Sequence, residues 1–398
     1  MSESTRSVLD RARERVGGRI EDLSGRQTAI LGGGLALLVA FVAAGLARPE
    51  SLVGELLAIA TSQSAFSAAL RLSVPIALAA LGGIFAEKSG VINIGLEGLL
   101  IVAAFGAIWG TDVTGSILLG FALGVLASTL LAGLFAVVCI EFRADQIIAG
   151  LAVWLIALGL APFASQVVYG GPNTDSVGTV PTLPEVLWFL PSPDQLPASA
   201  AIDVGVPVVG RAVEVAVSTV GGLALFVLDV LLEASLSVYL MLLMVVVSWY
   251  LLDRTAFGRW VRASGENPKA LDTAGVNVSR VRYAAVLLSG VLAGMGGAAL
   301  SLGLGQFTGN GPTMVNGKGF IAIVAYLFGN YNPVGAFLST FLFAGLDAVQ
   351  LTLQTRGTGI PDSLVRIVPF VTVIVVLALV GRTRIPEAAG DHYESGEE

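Results

Sequence analysis

Apolar residues in this chain come in long runs separated by short polar stretches, and the runs have the length of a bilayer-spanning helix. A helix rises about 1.5 Å per residue, so crossing a hydrocarbon core about 30 Å thick takes roughly 20 apolar residues. Ten runs qualify, at approximately 29–47, 71–86, 93–109, 116–140, 146–168, 234–252, 284–304, 319–332, 334–354 and 364–381. Those at 71–86 and 319–332 are short and interrupted by Gly or Pro, which predicts broken or re-entrant segments. Freed backbone of that kind is tolerated at membrane depth only where it faces protein or water. The expected fold is all-α: a polytopic membrane helix bundle of about ten spanning helices with broken or re-entrant segments.

The polar stretches set the orientation. With residues 1–28 as an inner, cytoplasmic tail, sixteen of the 22 Lys and Arg fall inside and six outside, as the positive-inside rule requires. Both termini are then cytoplasmic. The spanning domain runs over 29–385, followed by an acidic tail at 386–398. Within it, 169–233 is expected to be an outer loop with an interfacial insertion. The stretch 212–232 is apolar enough to span, but Glu214, Asp229 and Glu233 interrupt it and intramembrane charge is costly, so a helix lying at the surface is expected. The loop at 253–282 is cytoplasmic and carries six of the basic residues.

Composition supports the bilayer as solvent. The chain is 55% apolar and only 13% charged, against about 25% charged in soluble domains. Its single cysteine, Cys139, excludes an internal disulfide and a cysteine-based metal site. The only histidine, His392, lies in the C-terminal tail, which excludes Ser-His-Asp and multi-histidine zinc chemistry. No catalytic residue, metal or nucleic acid is expected. A phosphate-loop-like stretch, GPTMVNGKG at 311–319, lacks the first required Gly and the final Ser or Thr.

Three groups of polar residues stand out. In the inner loop, Asn267 can cap a helix that starts at Pro268, and Gly275 suits the left-handed position that ends one, predicting a two-turn helix over 268–274. So brief a helix is marginal alone and needs a surface to dock on; an ordinary basic loop remains the other reading. In EKSGVINIGLEG, 87–98, Asn93 and Glu97 either tie down backbone where the chain breaks between helices or touch a transported solute. In the ninth span Asp347, Gln350 and Gln354 share one face with Thr340, lining a path or bonding a neighbouring helix. Small residues four apart, Gly120/Gly124 and Gly290/Gly294/Ala298, predict close helix contacts.

Two segments, EKSGVINIGLEG at 87–98 and GRWVRASGENPKALDTAGVNV at 258–278, carry a family resemblance, with SGVLAGMGG at 289–297 and GKGFIAIVAYLFG at 317–329 in support. Together they resemble the permeases of ABC importers for branched-chain amino acids, monosaccharides and nucleosides, and most closely the guanosine-type nucleoside permeases. The resemblance implies a subunit in the cell membrane that works with a second permease, in a heterodimer, with cytosolic ABC ATPases and with an external substrate-binding lipoprotein. ATP would be bound by the ATPase, and the chain itself would hold no cofactor and catalyse nothing. Gly265, Glu266, Asn267, Pro268, Lys269, Ala270, Asp272 and Gly275 would form the ATPase-coupling helix, and Asn93, Glu97, Asp347 and Gln350 are candidates for the translocation path. Leu271 stands where the family usually has Ala. Import of simple sugars is the nearer alternative; an ion-coupled secondary transporter, motivated by Glu97 and Asp347, is the more distant one. An intramembrane hydrolase built on that carboxylate pair ranks last.

Overall fold

The computed structural model describes residues 39–40, 42–182, 185, 226, 230–356 and 384–393. The chain divides into two compact units, Met1–Ser62 with Thr352–Arg382 and Gln63–Leu351 with Thr383–Glu398. The expected runs at 364–381 and most of 29–47, and nearly all of the 212–232 insertion, lie outside the described residues. In the first unit a short helix, α1 (Leu52–Ala60), starts at Ser51, whose hydroxyl accepts the Gly54 N–H at 3.2 Å.

The second unit is helical throughout its described elements. In chain order these are α2 (Gln63–Lys88), α3 (Leu96–Thr114), α4 (Ile117–Ala136), α5 (Gln146–Tyr169), α6 (Leu236–Arg254), α7 (Ala256–Glu266), α8 (Pro268–Thr273), α9 (Val278–Leu304), α10 (Lys318–Phe328) and α11 (Pro333–Arg356), of which 333–351 belongs here. A π-helical turn, Val137–Glu141, extends α4. Seven helices among the described residues are long and apolar enough to cross a bilayer, and the protein is a multi-pass membrane protein.

Helix ends follow the sequence. Asp145 caps α5 by accepting the N–H groups of Ile147 and Ile148, both at 2.9 Å. Glycines at positive φ end three spans: Gly115 (67°) after α3, Gly170 (73°) after α5 and Gly305 (70°) after α9.

The core is α2, α3 and α9, with 83%, 72% and 72% of their spanning windows buried, whereas α5 and α6 are each 28% buried. On α5, Leu155, Leu160, Phe163 and Val167 face outward, as a helix bathed in lipid requires. The small-residue spacing performs as expected. Gly120 and Gly124 of α4 meet Thr111, Ala107 and Ala103 of α3, and Gly290 and Gly294 of α9 meet Ser128, Thr129 and Val125 of α4. The Ser128 hydroxyl donates to the Gly290 carbonyl at 2.8 Å, bonding two helices where lipid offers no partner.

Two expected elements differ. The run at 71–86 is neither short nor broken: α2 is a continuous 26-residue helix with Pro75 inside it. Its first turns, Gln63–Arg71, mix polar and small residues and so escape a hydrophobicity window. The basic loop at 253–282 contains α7 as well as the expected α8, because Thr255 caps α7 by accepting the Gly258 N–H at 3.1 Å. The short run near 319–332 is α10, 11 residues and about 16 Å long, too short to span. The non-helical stretch before it packs on the segment that follows α5: Thr174 N–H donates to the Phe307 carbonyl at 3.0 Å and Val177 N–H to Gly305 at 2.7 Å.

Candidate functional site

Between α2 and α3 the helix breaks over residues 89–95, and a buried glutamate stands on either side of the break. Together the two hold opposite ends of α10. Glu97, on the first turn of α3, accepts the N–H of Gly317 at 2.7 Å through Oε1 and that of Gly319 at 2.6 Å through Oε2. A helix N-terminus has unpaired N–H groups and a partial positive charge, so a carboxylate there satisfies donors and dipole at once. Gly317 sits at φ 82°, and a Cβ on Gly319 would overlap the Glu97 backbone. Glu87, near the end of α2, accepts hydrogen bonds from the Tyr326 hydroxyl at 2.7 Å and the Tyr331 hydroxyl at 2.6 Å, at the far end of α10. Gly83, one turn earlier on α2, leaves room for the Tyr326 ring, which a Cβ would strike.

The break itself is tied to α9 and α5. Asn93 donates from Nδ2 to the Ser289 hydroxyl of α9 at 3.1 Å and accepts the Gly95 N–H at 3.1 Å. The Ile92 N–H donates to the Gln146 side chain of α5 at 2.6 Å. Side chains and neighbouring backbone thus take up donors of this non-helical stretch, Ser89, Gly90 and Val91 bonding back to the end of α2, as backbone freed inside the bundle requires. Lys318, the first residue of α10, donates to the Val315 carbonyl at 3.2 Å and lies within electrostatic reach of Glu97 and of Asp347 on α11.

At the Lys88 end of α2 a second assembly forms. The Ser264 hydroxyl of α7 donates to the Ser89 carbonyl at 2.8 Å, and Gly265 lies so close to the Lys88 carbonyl that no Cβ fits. From this anchored turn the chain passes into α8. The Asn267 side chain accepts the Ala270 N–H at 3.0 Å, Pro268 takes the first helical position, and Gly275 follows at φ 81°. Leu271 is the buried anchor of α8, while Glu266, Asn267, Lys269, Ala270 and Thr273 are exposed.

A family model described as the permease component of branched-chain amino acid transport systems matches residues 65–377. The chain belongs to this permease family. Relatives include the guanosine ABC transporter permease NupQ of Bacillus subtilis, 32% identical over 344 residues that cover 83% of this chain and 96% of that one. The nucleoside ABC transporter permease NupC of Lactococcus lactis is 33% identical over 335 residues, 81% of this chain and 93% of its own. A Haloferax volcanii permease whose name assigns it provisionally to glucose transport, TsgC13, is 32% identical over 296 residues, 74% of this chain and 79% of its own. No solved structure matches.

In this permease, Asn93 and Glu97 lie at the break four residues apart with separate partners, and Lys318 lies within electrostatic reach of Glu97 and Asp347. Both oxygens of Glu97 and both ends of the Asn93 amide are already engaged with the protein. Gln350 is half-buried one turn beyond Asp347 on α11, and Thr340 donates to its own helix at Ala336, 2.7 Å away. The expected coupling residues run consecutively along the end of α7 and α8: Gly265 is buried against α2, Pro268 and Asp272 are half-buried, and Glu266, Asn267, Lys269, Ala270 and Gly275 are exposed. Sequence reasoning missed Tyr326, Tyr331, Ser289 and Arg282; the usable signal was a pair of tyrosines five residues apart around a Gly-Asn turn, opposite an unpaired membrane glutamate.

Proposed function

We propose that this permease is the membrane-spanning subunit of an ATP-driven importer, that nucleosides are its cargo, and that α8 receives the stroke of a separate ATPase. The geometry of α8 is the observation that carries the reading: a capped six-residue helix with an exposed polar face, held to the end of α2 by contacts that admit no side chain at Gly265. A helix this short gains nothing alone and suits a groove on a partner. Nucleosides are favoured because NupQ and NupC align over nearly their whole lengths, whereas the alignment with TsgC13 covers 79% of it.

On this reading α7 and α8 face the cytoplasm, with both termini, in the orientation that places most Lys and Arg inside. ATP is held and cleaved by the ATPase. A second permease chain completes the path, and an external lipoprotein delivers the nucleoside. Rigid-body rocking of the two permeases, driven through their α8 helices, alternates access to the path.

Reconstitution tests this. The permease is co-expressed with the ATPase, partner permease and lipoprotein from neighbouring genes, placed in liposomes and assayed with labelled guanosine and glucose. The expected result is guanosine uptake that requires ATP and every subunit. Uptake of glucose alone would replace the cargo, and uptake by this chain alone on an ion gradient would overturn the mechanism.

A further inference from the structure

Residues 384–393 run across the α8 end of the bundle and bond to five separate places in it. The Arg384 N–H donates to the Asn330 side chain, in the turn between α10 and α11, at 3.2 Å. The Ala388 N–H donates to the Gly265 carbonyl at 2.8 Å, and the Gly390 N–H to the Gly90 carbonyl at 3.0 Å. Arg282 of α9 donates from Nη1 to the Asp391 carbonyl at 2.7 Å, and the Tyr393 hydroxyl donates to Asp272 of α8 at 2.9 Å. Within this segment Pro386 and Ala388 are buried.

Arg282 shows how firmly the segment is built in. Its residue is only 4% exposed, and its Nε and Nη2 have no hydrogen-bond partner among the described residues. A guanidinium is costly to bury without partners. The bond to Asp391 therefore offsets part of a penalty that Arg282 already bears, and losing the segment would strip the guanidinium of the hydrogen bond made by Nη1. Gly90, at φ 96°, has no Cβ to collide with that guanidinium and presents its carbonyl to Gly390.

We infer that residues 384–393 are a brace that positions α8 against the α10–α11 turn, with Arg282 and Tyr393 as its positioning residues. The inference deepens the proposed function, since the brace matters for transport only where α8 is the docking helix. One end grips the turn whose Tyr331 holds Glu87; the other grips the helix that meets the ATPase. Docking force at α8 then reaches the membrane half-helix along a second route, besides the contact of α7 with α2.

The test uses the full complex in liposomes and two truncations, one ending at Tyr393 and one at Pro386. The first keeps every brace contact and the second removes those from Ala388 onward. Tyr393→Phe removes only the bond to Asp272. Backbone hydrogen exchange over 267–275 and the ratio of nucleoside imported to ATP hydrolysed are read, at equal recovery of the ATPase-bound complex. Expected are unchanged values for the Tyr393 truncation. For the Pro386 truncation and Tyr393→Phe, exchange should quicken and the ratio fall roughly threefold to tenfold, the size of a modest coupling change. Unchanged exchange, or quicker exchange with an unchanged ratio, would overturn the brace. Leu271→Asp separates the two readings: retention of the ATPase by that variant would sink α8 as the docking helix, whatever the truncations do.

Discussion

The carboxylate of Glu97 and the N–H of Gly319 lie 2.6 Å apart, joining the first turn of α3 to the first turn of α10. With the companion bond from Gly317, one side chain takes up two donors that the short helix cannot satisfy internally. Bonds of this charge-assisted type contribute about 1.5–3 kcal/mol each. Glu97→Gln keeps one acceptor but turns an NH2 group toward a backbone donor, and Glu97→Ala leaves both donors bare. Thermal unfolding of the purified permease should rank wild type above Gln and Gln above Ala, and guanosine uptake should follow the same order.

Glu87 predicts an interaction that pairs of substitutions can isolate. Tyr326→Phe leaves the carboxylate with Tyr331 as its remaining phenol, so stability should drop by about 1–3 kcal/mol. Gly83→Ala should cost a similar amount by overpacking, because the added methyl strikes the Tyr326 ring. In a Tyr326→Leu background the Gly83→Ala penalty should shrink. A double-mutant cycle measured by thermal unfolding checks this, and simple additivity would refute the contact.

Asn267 makes α8 testable at its cap. Loss of the bond to the Ala270 N–H in Asn267→Ala should weaken a six-residue helix by about 1 kcal/mol, whereas Asn267→Ser retains a capping oxygen. Co-purification of the ATPase should fall for Ala and hold for Ser. Equal retention by both would show that the cap has no bearing on docking.

Tyr393 sets the pH range of the brace. Burial and the neighbouring Asp272 carboxylate push its phenol above the ordinary tyrosine value, so the neutral, donating form is favoured in the folded protein. A raised pKa means the contribution is complete below the unfolded value of about 10 and declines only as pH climbs through the folded one. Exchange protection of α8 should therefore stay level from neutral pH to about 9, after correction for intrinsic rates, in wild type. A loss of protection near neutrality would point to a different titrating group.

The sequence disclosed local features best. Asn267, Pro268 and Gly275 mark α8 because capping and left-handed backbone are properties of single residues, and the spans at α4, α5 and α9 follow from apolar length alone. Glu97 could be read either as a clasp or as a solute contact, and its hydrogen bonds to Gly317 and Gly319 are a feature the sequence did not locate. Its partner lies some 220 positions away, a distance no periodicity encodes. The same holds for Glu87 with Tyr326 and for Arg282 with Asp391. Residues 386–393 gave only a charge excess in the sequence, since the bonds that fix 388–391 come from backbone atoms, which every residue carries.

Because Glu87 and Glu97 clasp the two ends of α10, the stretch between them works as a gauge. Loops commonly absorb inserted or deleted residues with little harm. Here one residue added between Ser89 and Gly95 would shift one clasp by up to about 3.5 Å relative to the other, more than a hydrogen bond can stretch. The length of that connection is thus under the same constraint as a helix in the core, even though it has no regular secondary structure of its own.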